Sequence, residues 1–176
     1  LEDGIGYIQI TDFQKQTDEQ FAEKVKELQS EGAKGLIIDV RANPGGYLDT
    51  VVNLLDYVLP EGLLVYTEDK YGNRDEYTSN RACLDLPMVV LADESSASAS
   101  EIFAAAMKDY EYATLVGKTT YGKGIVQNII PLSDGDAMKI TVAKYFTPKG
   151  NDIHKVGVTP DVEVEATVKK LSTSVL

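Results

Sequence analysis

Four serines fall within six residues, Ser95, Ser96, Ser98 and Ser100. They follow the apolar run "PMVVLA" and lead into the helix-like run "EIFAAAMKDY". A serine at a strand-to-helix turn is where a hydrolase puts a nucleophile. If the helix begins near Ser98, the Ala99 N–H lies unpaired at the positive end of the helix dipole, where an anion is stabilised. A tetrahedral acyl intermediate carries such an anion, and donors aimed at it are a major source of rate. Ser98 with the Ala99 N–H is therefore a chemically sensible pair. Ser96 and Ser100 satisfy the same rule, and taken alone the stretch fits a helix cap with a small polar turn better than a nucleophile.

A serine nucleophile needs a base, and the chain has one histidine, His154, in the polar glycine-containing loop "NDIHKVGVTPD". The other candidate is Lys123, flanked by Gly122 and Gly124, two glycines that allow close approach to another element. Lysine becomes a base near neutrality only if its pKa falls by roughly three units from about 10.4, a cost of about 4 kcal/mol. Burial supplies such a shift. Gln127, four residues on, offers an uncharged amide to orient the amine. The everyday fate of Gly-Lys-Gly is a surface turn with a solvated lysine. Gly45 and Gly46, in "DVRANPGG" after a buried strand, offer a second oxyanion donor, although a Pro-Gly pair is by itself an ordinary turn. Asp39 and Arg41 flank that loop and read as its ion-pair support. Glu101 falls in the first turn of the helix, where it suits the dipole and reads as a cap or support.

The elements that must position these groups alternate along the chain. "GIGYIQI" reads as a strand. "TDEQFAEKVKELQSEG" reads as a helix with Thr17 and Gln20 at capping-box spacing, Phe21, Val25 and Leu28 on one face, and Gly32 as its stop. "GLIIDV" and "PMVVLA" are short continuous apolar runs, typical of strands buried on both faces. "YLDTVVNLLDYVL" is a second helix, "LLVYTE" a strand, and "KYGNRDEY" a hairpin or exposed turn. "YATLVG", "IVQNIIPL" and "MKITVAKYFTP" are further strands. The pattern predicts an α/β fold of strand–helix–strand units with an antiparallel strand region toward the C-terminus, in one domain over 1–176 with a tail or extra helix from about 166.

Composition narrows the function. The chain has 176 residues, 43% hydrophobic and 26% charged, enough for one well-buried core. The net charge of −11 and the lack of any Lys/Arg stripe argue against nucleic acid as a partner. One cysteine, Cys83, excludes an internal disulfide and a paired-cysteine metal site, and one histidine excludes a His-rich zinc site, so neither metal nor cofactor is expected. No apolar stretch reaches the length of a membrane helix. The chain opens directly on a strand, which suggests a piece of a longer protein.

Together, "DVRANPGG", "SASASEIFAAAMKD", "LVGKTTYGKGIVQ" and "YFTPKGNDIHKVGVTPD", in this order, resemble the C-terminal processing peptidases, also called tail-specific proteases. The resemblance runs from about Gly4 to Val164. It implies a crotonase/Clp-protease-like α/β core and a serine endopeptidase that cleaves proteins at or near their C-terminal tails through an acyl-enzyme. It implies Ser98 as nucleophile, Lys123 as general base and Gln127 as the residue supporting the lysine. The oxyanion hole it implies pairs the Ala99 N–H with Gly45 or Gly46, and His154 lies in a loop the family uses structurally. It further implies a protein or peptide substrate, a PDZ domain upstream in the full-length protein, an extracytoplasmic location at the cell envelope or periplasm, and compatibility with a homo-oligomer. The rival readings are a ligand-binding module on the same fold, without catalysis, and an acyl-CoA enzyme of crotonase type. The intact Ser–Lys pair speaks against both.

Overall fold

The computed structural model describes residues 3–80, 83–133 and 135–165. Five parallel strands form the first layer, in the order β1-β2-β5-β6-β9: β1 (Ile5–Gln9), β2 (Gly35–Asp39), β5 (Met88–Ala92), β6 (Ala113–Gly117) and β9 (Val162–Glu163). Strand β2, held between β1 and β5, is apolar up to Asp39, as expected for a strand covered on both faces. A second sheet is antiparallel, in the order β4-β3-β8-β7: β3 (Gly62–Asp69), β4 (Arg74–Ser79), β7 (Ile125–Pro131) and β8 (Ala137–Phe146).

The described residues form three helices: α1 (Thr17–Ser30), α2 (Leu48–Val58) and α3 (Ala99–Asp109). α1 buries Phe21, Val25 and Leu28, the spacing of one helical face. α3 touches β5 and β6 of the parallel sheet as well as β3 of the antiparallel sheet, so it lies between the two layers. Every residue from Ala99 to Met107 is consequently buried. Ala104, Ala105 and Ala106 let both sheets come close, while Phe103 packs its ring 6.3 Å from that of Phe13. Full burial of each such ring contributes about 1.5–3 kcal/mol.

The expected antiparallel region toward the C-terminus is formed by β7 and β8, and it extends to a four-stranded sheet because β8 also pairs with mid-chain β3, from Tyr66–Phe146 to Asp69–Ala143. One expectation needs correction. The Thr17–Gln20 capping box does not form. Thr17 Oγ1 is engaged one turn earlier, accepting from the Gln14 N–H (3.0 Å) and donating to the Asp12 carbonyl (3.3 Å), and Gln20 N–H bonds the Gln16 carbonyl. The turn between β3 and β4 is the expected hairpin, with Asp69 Oδ1 accepting from the Tyr71 and Asn73 N–H groups. The expected tail from about 166 lies outside the described residues.

Candidate active site

The turn from β5 into α3 separates the four serines. Ser96 is buried, donates its hydroxyl to the Val40 carbonyl (2.7 Å) and accepts from the Asp93 N–H (3.0 Å). Ser100 is buried and donates to the Asn43 carbonyl (3.0 Å). Ser95 is exposed. Ser96 and Ser100 are thus structural ties to the loop after β2. Ser98 is the N-terminal cap of α3 and adopts φ +58, ψ −115, a conformation that L side chains rarely take. Strain of this kind costs on the order of 1–3 kcal/mol and persists only where the surroundings enforce it.

The surroundings that enforce it include the loop after β2. Asn43 is wholly buried and ties three segments together. Its Nδ2 donates to the Ile10 carbonyl (2.7 Å), its Oδ1 accepts from the Gly45 N–H (2.8 Å), and its own carbonyl accepts from the Ala97 N–H (3.0 Å). Gly45 has φ +104, and a Cβ there would lie 2.6 Å from the Ala97 carbonyl oxygen and 2.8 Å from Ser98 Cβ, so only glycine brings this loop against the Ser98 turn. Gly46 runs against Phe13, with the Phe13 N–H on the Gly45 carbonyl and the Tyr47 N–H on the Phe13 carbonyl. The Gly46 N–H and the Ala99 N–H have no partner among the described residues.

The base of the loop is fixed by Asp39, as expected. Arg41 meets it through Nε (2.9 Å to Oδ1) and Nη2 (2.6 Å to Oδ2), and Tyr7 donates its hydroxyl to Oδ2 (2.6 Å). Burial alone would raise the Asp39 carboxyl. The Arg41 and Tyr7 hydrogen bonds and the Arg41 charge outweigh it and hold the group below the usual carboxylate range.

The third segment carries Lys123. A Cβ on Gly124 would lie 2.6 Å from the His154 backbone nitrogen, so Gly124 lets the loop close onto 153–157. The loop is locked to α3 by Glu101, which is fully buried. Glu101 Oε1 accepts from Thr120 Oγ1 and from the Gly122 N–H, both at 2.6 Å. Its Oε2 accepts from the Lys123 N–H (2.7 Å) and from the Ser98 N–H (2.9 Å). One carboxylate thus binds the backbones of both residues expected to do chemistry. From sequence it reads as a local cap or support; the Glu three residues after a serine was the visible signal, and the long-range half of its role was not.

Glu101→Gln places an NH₂ donor where an oxygen now faces two donors. At about 1–3 kcal/mol per unsatisfied buried group, the variant is expected to lose roughly 2–6 kcal/mol of stability and most of its activity. Urea unfolding measures the first; an unshifted midpoint would show that the carboxylate is not the lock described.

The remaining groups are not all brought together. The Lys123 side chain is half-buried and makes no hydrogen bond or ion pair among the described residues, with Ser98 Oγ or any other group. Gln127 lies on β7 just past a bulge between Val126 and Gln127, and its amide donates at 3.4 Å to Thr141 Oγ1 across the strand pair rather than to Lys123. His154 Nδ1 is buried without a partner among the described residues, and its backbone N–H is held by Asp152 Oδ1 (2.8 Å). Among the described residues, no three His, Cys, Asp or Glu side chains gather into a metal-binding group, and no helix is long and apolar enough to cross a membrane.

Residues 4–164 match the sequence model of peptidase family S41, and the chain belongs to that family. Within it, similarity points to the processing proteases. The chain is 44% identical over 162 residues to a carboxyl-terminal-processing protease of Synechocystis sp., covering 92% of this chain and 38% of that protein. It is 40% identical over 163 residues to the carboxy-terminal processing protease CtpB of Bacillus subtilis, covering 92% and 34%. The fold superposes on a photosystem II D1 C-terminal processing protease with a TM-score of 0.86 at 38% identity, over 92% of this chain and 42% of that one. The chain therefore spans well under half the length of these relatives. The α/β core expected from sequence is the fold of this family.

Proposed function

We propose that this chain is the core of a serine endopeptidase that cleaves protein substrates at or near their C-terminal tails. Lys123 Nζ takes the proton from Ser98 Oγ, and Oγ attacks the peptide carbonyl. The oxyanion forms between the N–H of Ala99 and the N–H of Gly46, since the Gly45 N–H is already given to Asn43 Oδ1. The lysine then passes its proton to the leaving amine, and a water activated by the same amine releases the acyl group. Gln127 supports the lysine once its long bond to Thr141 is given up. The observation that carries this reading is at the helix start: of the three buried serines in this turn, Ser96, Ser98 and Ser100, only Ser98 is not tied to the β2 loop by its hydroxyl, and it precedes the unpartnered Ala99 N–H. The processing-protease relatives support the peptidase reading. The proposal includes, as the family resemblance implies, an extracytoplasmic site of action, a PDZ domain in the full-length protein and compatibility with a homo-oligomer.

The test is to quench the protein in acid during turnover of an activated ester and map the adduct by mass spectrometry. An acyl group on Ser98 is expected. An adduct elsewhere, or substrate cleavage with no adduct, would overturn the covalent mechanism.

A further inference from the structure

The antiparallel sheet has two outer strands, and they are built differently. β4 bears Arg74, Asp75 and Glu76, with Arg74 Nε 2.9 Å from Glu76 Oε1. Charges of this kind keep an edge strand from pairing with another chain. β7 reads Ile-Val-Gln-Asn-Ile-Ile-Pro, with no charge and with proline only at its far end. Ile129 and Ile130 are exposed, and no strand among the described residues pairs with the outer edge of β7. An uncharged edge of this kind is a template for strand addition.

The register says where an added strand would lie. The Tyr145 N–H donates to the Gly124 carbonyl (2.9 Å), and the ladder continues as Ile125–Lys144 and Val126–Ala143. Hydrogen-bonded and non-hydrogen-bonded pairs alternate in an antiparallel ladder. Ile125 therefore falls in a non-hydrogen-bonded pair and turns its N–H and C=O away from β8. The same alternation puts the Lys123 backbone on that outer side. There the Lys123 N–H meets Glu101 Oε2 (2.7 Å), the oxygen that also accepts from the Ser98 N–H (2.9 Å). The Lys123 carbonyl has no partner among the described residues. The open edge thus begins beside the Ser98 turn. We propose that this edge, from the Lys123 carbonyl through Ile125, is the track on which the substrate main chain pairs as an added strand, bringing its scissile carbonyl to Ser98. The assignment rests on the reading of Ser98 as nucleophile. Its substrate class is an extended segment, since a helix or a folded sheet has already spent the backbone groups that the edge requires. A disordered tail has them free. A second copy pairing edge to edge fits less well, because it would lie across the Ser98 turn.

Two measurements with one tailed peptide test the assignment. In the first, the peptide is N-methylated one residue at a time and its cleavage by the parent chain is followed. Strand pairing uses every second residue, so kcat/KM is expected to fall about tenfold at alternate positions near the scissile bond and to stay near parental at those between. A flat profile, with the unmodified peptide cleaved and Ser98→Ala inactive, would overturn the track and leave the proposed function standing. In the second, amide exchange is read by NMR on Ser98→Ala, with the peptide well above the parental KM. The Ile125 N–H is expected to exchange about tenfold more slowly, while the Val126 N–H, which the register already pairs with β8, does not change. An Ile125 amide indifferent to the peptide would overturn the assignment. Slowing that follows protein concentration without peptide would make a second copy the occupant and overturn it too. Cleavage retained by Ser98→Ala would instead remove the proposed function itself.

Discussion

Ser98→Ala is expected to lower peptide cleavage by on the order of 10⁶-fold, the scale for loss of a serine nucleophile, while the melting temperature stays within about 2 °C. The two halves of this result have separate causes. Chemically, nothing replaces Oγ, because Ser96 and Ser100 are buried with their hydroxyls on the Val40 and Asn43 carbonyls. Structurally, the bonds that build the turn belong to the Ser98 backbone. Its N–H goes to Glu101, and its carbonyl accepts from the Glu101 N–H (2.9 Å) and the Ile102 N–H (3.0 Å). Alanine has the same Cβ, so the strain at φ +58 is unchanged. Casein and peptide digestion, run beside a thermal melt, separate the two halves. Substantial cleavage by a well-folded alanine variant would remove the Ser98 mechanism altogether.

The parts of this site that could be read from the chain are those encoded locally. β2 and β5 announce themselves as unbroken apolar runs because both faces of the parallel sheet are covered. The start of α3 is visible in the change from a strand-like run to an alanine-rich one. The glycines at 45 and 124 mark close approaches, and the structure supplies the neighbours: the Ser98 turn for one, the His154 backbone for the other. What stayed hidden depends on groups distant in sequence. The choice between Gly45 and Gly46 turns on the side chain of Asn43, which takes one N–H and leaves the other. The lock made by Glu101 joins position 98 to positions 120–123, a contact no local pattern encodes. The pairing of β3 with β8 is likewise a long-range match, and it is what adds β3 and β4 to the antiparallel strands toward the C-terminus. The capping box at Thr17 failed for the opposite reason, since a nearer pair of backbone groups competed for the same hydroxyl.

Lys123→Arg is expected to be as damaging as Lys123→Ala, each lowering kcat by roughly 10²–10⁴-fold, the range for loss of a general base. The substitution separates charge from basicity. A guanidinium keeps the positive charge but does not deprotonate in a protein, so it cannot accept the Ser98 proton. A lysine kept for an ion pair would tolerate arginine, yet Lys123 has no carboxylate partner among the described residues that such a replacement would preserve. Nor should either variant release the loop, because Glu101 holds it through the backbone N–H groups of Gly122 and Lys123, which both substitutions retain. Both variants should therefore melt near the parent. Small primary amines added to the solution sharpen the comparison. Lys123→Ala leaves a space in which methylamine supplies the missing base, and partial recovery of cleavage is expected there. Lys123→Arg fills that space and should not respond. An arginine variant that cleaves peptide at near-parental rate would show that the charge of residue 123 matters and its basicity does not, and Ser98 would then need another base.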